Sequence, residues 1–139
     1  MKRPSTLYPL SERAPEKAVS ASGMPLTELT LDRIVSGKVR TADASISAET
    51  LRMQASIARD AGRGKVAENF ERAAELVQVP ESVILETYEM LRPGRVLDLA
   101  LLSEHAEMLR RDYDARQIAD FIDEAVVVYK ARNLSRPRY

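Results

Sequence analysis

The chain holds one imidazole, His105, and no cysteine. Without thiols, disulfides, thiolate catalysis and zinc–thiolate sites are excluded. Metal sites built on imidazole usually need two or more, and no HExxH spacing is present. His105 also fails the Asp-x-His-x-x-Gly pattern of an axial cobalt ligand, because Ser103 and Met108 stand where the Asp and Gly would be. A hydrogen-bonded core or interface histidine is its plainer reading. Glu71 and Glu75 share a helical face, and paired carboxylates run acid–base chemistry when burial separates their pKa values. Here they alternate with Arg72 on a polar stripe, which is ordinary surface patterning. Arg63, Gly64 and Lys65 make a basic turn ahead of a helix, where a phosphate could sit. No Walker-type spacing surrounds them, and a helix–helix loop explains the glycines. The terminal run YKARNLSRPRY carries Lys130, Arg132, Arg136 and Arg138 without an acid. A contact with a partner or RNA is one use for it, and a solvated tail is the commoner outcome.

The elements that would position these groups are helices. Four of the seven prolines (Pro4, Pro9, Pro15, Pro25) fall in the first 29 residues. Each removes a backbone donor and biases its predecessor towards extended conformations. Residues 1–29 therefore read as an extended arm. The arm still carries Leu7, Tyr8, Leu10, Val19, Met24, Leu26 and Leu29. Burying seven side chains returns less free energy than ordering the arm's backbone costs, so an ordered arm should lie on something else. A disordered tail is the bland alternative.

Residues 30–139 read as a helical domain. In TLDRIVSGKV, Thr30 caps a short helix that ends before Gly37. Ser47 caps the next, with Glu49 in its first turn and Gly62 and Gly64 ending it. Val66, Phe70, Ala73, Ala74 and Val77 are spaced for one face of a third, with Glu68 and Arg72 paired outside. Pro80 breaks that helix and starts another, with Ile84, Tyr88 and Leu91 on one face, until Arg92-Pro93-Gly94 stops it. A fifth groups Leu101, Leu102, His105, Met108 and Leu109. The sixth, from about Ala115 to Arg132, carries Ile118, Ile122, Ala125, Val126 and Tyr129. Phe121, Val127 and Val128 widen that stripe beyond what one core-facing side needs. Strand-type alternation is almost absent. The expected fold is all-α: a compact bundle of about five or six helices preceded by an extended, proline-rich N-terminal arm.

With 139 residues the chain is long enough for one domain. Lys plus Arg and Asp plus Glu both number 21, so there is no strong field to draw nucleic acid or an anionic membrane. No apolar run reaches the roughly 18–20 residues needed to span a bilayer, and MKRPSTLYPLSERAPEK lacks the apolar core of a secretory signal. A cytoplasmic chain is the expectation.

Longer blocks are more specific. ISAETL (46–51), LRMQASIARDAGR (51–63), NFERAAEL (69–76) and YEMLRP (88–93) together resemble the small subunit of adenosylcobalamin-dependent diol and glycerol dehydratases. In the arm, Tyr8-Pro9-Leu10, Pro15-Glu16, Gly23-x-Pro25-Leu26-Thr27 and Ser36-Gly37 occur in the family's order. The resemblance covers most of residues 8–93, and is weaker to about residue 134.

The resemblance implies a noncatalytic structural subunit, with no catalytic, cofactor-binding or metal-binding residue of its own. It implies large and medium dehydratase subunits as partners, in a dimer of three-subunit units. Adenosylcobalamin would lie between those two larger chains, and the complex would convert 1,2-diols or glycerol to aldehydes by a radical route. The arm and helical body would pack on the large subunit, with Tyr8, Leu10 and Leu26 as anchors, because large apolar residues on an arm otherwise stay wet. Nucleic acid and membrane are not expected partners. Only seven residues precede Tyr8, so the microcompartment-targeting extension of some family members is not expected here. Gly94 stands where an aromatic is common, and VLDLALLSEHAEML diverges from the family. The competing reading is a free-standing helical adaptor, or a nucleic-acid-binding module using the basic tail.

Overall fold

Prolines and side-chain caps set the breaks between helices. A computed structural model describes residues 3–95 and 98–135 of the 139. The described residues form seven α-helices: α1 (Leu10–Arg13), α2 (Leu31–Val35), α3 (Ala48–Asp60), α4 (Gly64–Leu76), α5 (Glu81–Met90), α6 (Leu99–Tyr113) and α7 (Arg116–Arg132). Short 3₁₀ turns occupy Pro4–Leu7, Pro15–Lys17, Leu26–Glu28 and Thr41–Ala44. No strand forms among the described residues, only isolated antiparallel bridges between Val19 and Pro25 and between Ser20 and Ile46. The fold is all-α. The six helices expected from periodicity all form, and the single turn α1 is added within the arm.

The caps explain the boundaries. The Thr30 hydroxyl accepts from the Arg33 N–H, the Ser47 hydroxyl from Thr50 and the Asp98 carboxylate from Ala100. Gly62, at φ +74°, takes the left-handed conformation that ends α3, and the Arg63 N–H reaches back to the Ala58 carbonyl at 2.8 Å. Gly64, expected to help end α3, is instead the first residue of α4.

Contacts divide the chain between Val77 and Gln78, inside the segment 30–139. In the first unit, α3 packs on α4 and on the Pro4–Leu7 turn. Ala55, Ala58 and Ala67 are buried together, with Phe70 against them. Three small side chains let the two helix backbones approach closely. Arg59 of α3 bonds Glu71 of α4 at 2.6 Å across the same pair. The burial moves the inward face of α4 from its expected line: Ala67 is inside, while Val66 and Val77 are exposed.

The arm segment lies along α3. Leu10, Ala14 and Ala18 join Ile57 in a buried cluster, with Leu7 and Met53 against it. Thr50 donates its hydroxyl proton to the Val19 carbonyl at 3.0 Å, and the Ala21 N–H reaches Ser45 at 2.7 Å. Two carboxylates hold the segment as well. The Ser5 hydroxyl and N–H both bond Asp60 and, with Arg3 nearby, keep its carboxyl below the usual aspartate range. The Ser22 hydroxyl, then the Arg40 N–H, do the same for buried Asp43. A carboxyl whose folded pKa is depressed contributes stability above its unfolded pKa and loses it as pH falls through the folded value. Acidification below about pH 4 is therefore expected to release the first 29 residues ahead of the helices. Pepsin cleavage within that segment should begin at low pH in wild type, whereas the double variant D43N/D60N should lose most of the pH step. Equal cleavage across pH 2–5 in wild type would count against it.

In the second unit, α6 packs on α7. Leu102, Ala106 and Leu109 of α6 and Ala119, Ile122 and Val126 of α7 are buried. Arg110 bonds Asp120 at 2.7 Å and Asp123 at 2.5 Å across the pair, and Glu107 on its own helix. Asp123 first, then Asp120, push its already high pKa further up. The Tyr129 hydroxyl donates to the Leu91 carbonyl, and the Gly94 N–H reaches Leu134 at 3.0 Å.

Candidate partner-binding surface

His105 is buried, its Nε2 2.7 Å from the Thr87 hydroxyl oxygen. That hydroxyl has one proton, and it goes to the Val83 carbonyl, also at 2.7 Å. Nε2 therefore carries the ring proton and donates to Thr87. The ring is thus a buried, hydrogen-bonded histidine of the second unit. Glu71 is engaged by Arg59 and Lys65 by Glu68, at 2.6 and 2.9 Å. Glu68 was expected to face Arg72. Its carboxyl is held low first by the Lys65 hydrogen bond, with Arg72 adding a longer-range attraction. Lys130 and Arg132 lie in the last turn of α7, and Arg136 and Arg138 lie outside the described residues. Among the described residues, no group of three His, Asp or Glu side chains is set to hold a metal ion, and no helix is long and apolar enough to cross a membrane.

The surface feature that stands out in the first unit is apolar. A groove of about 420 Å³ runs between the arm and the residues around the start of α3. Tyr8, Leu10, Val19, Leu26, Leu29 and Ile46 line it, and no lining residue is charged. The structure thus brings Tyr8, Leu10 and Leu26 to one place, in different states. Tyr8 is 68% exposed and Leu26 42%, whereas Leu10 is 4% exposed. Leu10 belongs to the cluster that holds the arm on α3, and supports the groove from within. A second groove, of about 360 Å³, adjoins the first, sharing Tyr8 and Gln54. Ile57, Ala58, Val66 and Phe70 form its apolar lining.

Sequence reasoning missed other exposed apolar positions. Leu31, Ile34 and Val35 of α2, and Ile46, face solvent. A five-residue helix is too short for its periodicity to define an inward face, so LDRIV carried no signal of this. In the second unit Leu85, Tyr88 and Leu101 are exposed, though Tyr88 and Leu101 were expected inside. Thr87 takes the inward place on α5 because its hydroxyl is satisfied there by Val83 and His105. Phe121, Val127 and Val128 are exposed in part, as the over-wide stripe on α7 suggested.

Fold and surface together define a class: an all-α chain whose described surface offers apolar grooves rather than a cluster of reactive groups. A model of the dehydratase small subunit matches residues 4–136. Over 125 residues the chain is 46% identical to the propanediol dehydratase small subunit of Salmonella typhimurium (strain LT2), covering 90% of this chain and 72% of that protein. It is 45% identical over 127 residues to the propanediol dehydratase small subunit of Citrobacter freundii, covering 91% and 73%. The chain belongs to the dehydratase small-subunit family.

Proposed function

We propose that this chain is the small, noncatalytic structural subunit of an adenosylcobalamin-dependent propanediol or glycerol dehydratase, a lyase complex. Identity of 46% to a propanediol dehydratase small subunit across nine-tenths of the chain carries the reading. The complex turns 1,2-diols or glycerol into aldehydes by a radical mechanism, in the cytoplasm, as a dimer of three-subunit units. Adenosylcobalamin is held by the large and medium subunits. The protein's part in such chemistry is to position the cofactor and shield the radicals, and this chain contributes by packing on the large subunit and stabilising it.

In this reading the arm, residues 1–29, and the helical body, residues 30–139, both meet the large subunit. Tyr8 and Leu26 are the contacts that bury apolar area there, and Leu10 keeps the arm in position for them. Co-expression tests the function: the chain is expected to co-purify with two larger dehydratase chains, and the complex to form aldehyde from a 1,2-diol when adenosylcobalamin is added. A solitary protein with salt-sensitive RNA binding would favour the adaptor reading instead.

Tyr8→Ala and Leu26→Ala should each weaken retention in the complex by about 1 kcal/mol or more, roughly fivefold to tenfold in Kd. Melting of the free chain should barely move, since both side chains are already wet. Unchanged co-elution on gel filtration at dilute protein would remove these residues from the interface.

A further inference from the structure

The second groove differs from the first in one respect. Its lining includes a single charged residue, Arg63. Among the described residues, no carboxylate lies within ion-pair distance of that guanidinium, whereas neighbouring Arg59 and Lys65 are each paired. Arg63 is also the N-cap of the thirteen-residue α4, where a positive charge opposes the helix macrodipole. Lys65, on the same end, is offset by Glu68; Arg63 has no such compensation. An uncompensated cation beside an apolar recess offers a partner both burial and charge complementarity.

Resting on the reading of this chain as a dehydratase small subunit, we infer that the groove lined by Ile57, Val66 and Phe70 receives an apolar side chain of the large subunit, while Arg63 at its edge pairs with a carboxylate on the same partner segment. Tyr8 lines both grooves, so the segment continues past it into the uncharged groove with apolar or neutral side chains. The occupant is thus an apolar stretch with an acidic residue at one end. The guanidinium fork gives such a carboxylate two parallel hydrogen bonds, and the apolar neighbours limit its screening by water.

The test measures the affinity of purified small subunit for the complex of the two larger chains, at several salt concentrations. R63E is expected to weaken binding about tenfold or more and to flatten the salt dependence. R63K should fall between, keeping the charge but not the fork. The free R63E chain should melt at the same temperature or higher, because an acid at a helix N-terminus suits the dipole. That opposite sign separates a lost contact from a damaged fold. If wild type binds and R63E binds within about twofold of it, the inference is overturned while the subunit reading stands. If wild type itself fails to bind the larger chains, both are overturned.

Discussion

Leu102→Ala is expected to remove about 2–5 kcal/mol of stability, on the order of 10 °C in Tm. Leu102 is fully buried where α6 packs on α7, and the large side chains Leu109 and Ile122 are fully buried in the same unit. Truncation loses the transfer free energy of the missing carbons and leaves a cavity. The other residues buried along these helices include Ala106, Ala115 and Ala119, whose methyl groups cannot reach across to fill it. Against a total stability of about 5–15 kcal/mol the loss is large. Leu101→Ala is the matched control. It changes the same side chain one residue earlier on the same helix, at a position 49% exposed, and should cost under about 1 kcal/mol. Urea titration followed by circular dichroism measures both. Equal losses would mean that α6 sits in a register turned towards Leu101.

Leu10→Ala is the second large effect, expected at about 2–4 kcal/mol, and it is local. Its cluster partners Ala14 and Ala18 are too small to hold the arm on Ile57 without it. The arm's other ties to α3 are the half-buried Leu7 of the Pro4–Leu7 turn, the Ser5 hydroxyl and N–H on Asp60, and the Thr50 hydroxyl on Val19, each hydrogen bond contributing only about 1–3 kcal/mol net. Hydrogen exchange should therefore rise across the arm while α6 and α7 keep their protection. In the proposed complex this variant should lose retention together with arm order. Tyr8→Ala should lose retention alone. The pair separates a residue that holds the arm from one that meets the partner. Protection of the arm unchanged in Leu10→Ala would show that the cluster around Ile57 does not anchor it.

The amino-acid sequence by itself determined six of the seven helices and most of their ends; the single turn α1 and the start of α4 at Gly64 were not legible in it. Thr30, Ser47, Gly62, Pro80 and the Arg92-Pro93-Gly94 stop act through local backbone geometry, and all fall at helix ends as expected. It determined the family too, because a block such as LRMQASIARDAGR is long enough to be specific. Which way each helix turns was decided by the tertiary structure. A stripe at 3.6-residue spacing tolerates rotation by about one position. Close approach of α3 and α4 through Ala55, Ala58 and Ala67 turned Val66 outward. A satisfied hydroxyl took Thr87 inward in place of Tyr88, a choice hydrophobicity alone cannot encode. Leu10, Tyr8 and Leu26 look alike on a proline-rich arm. Only packing against Ile57 placed Leu10 inside and left the other two at the rim of a groove, because burial belongs to the surface a residue meets and not to the residue.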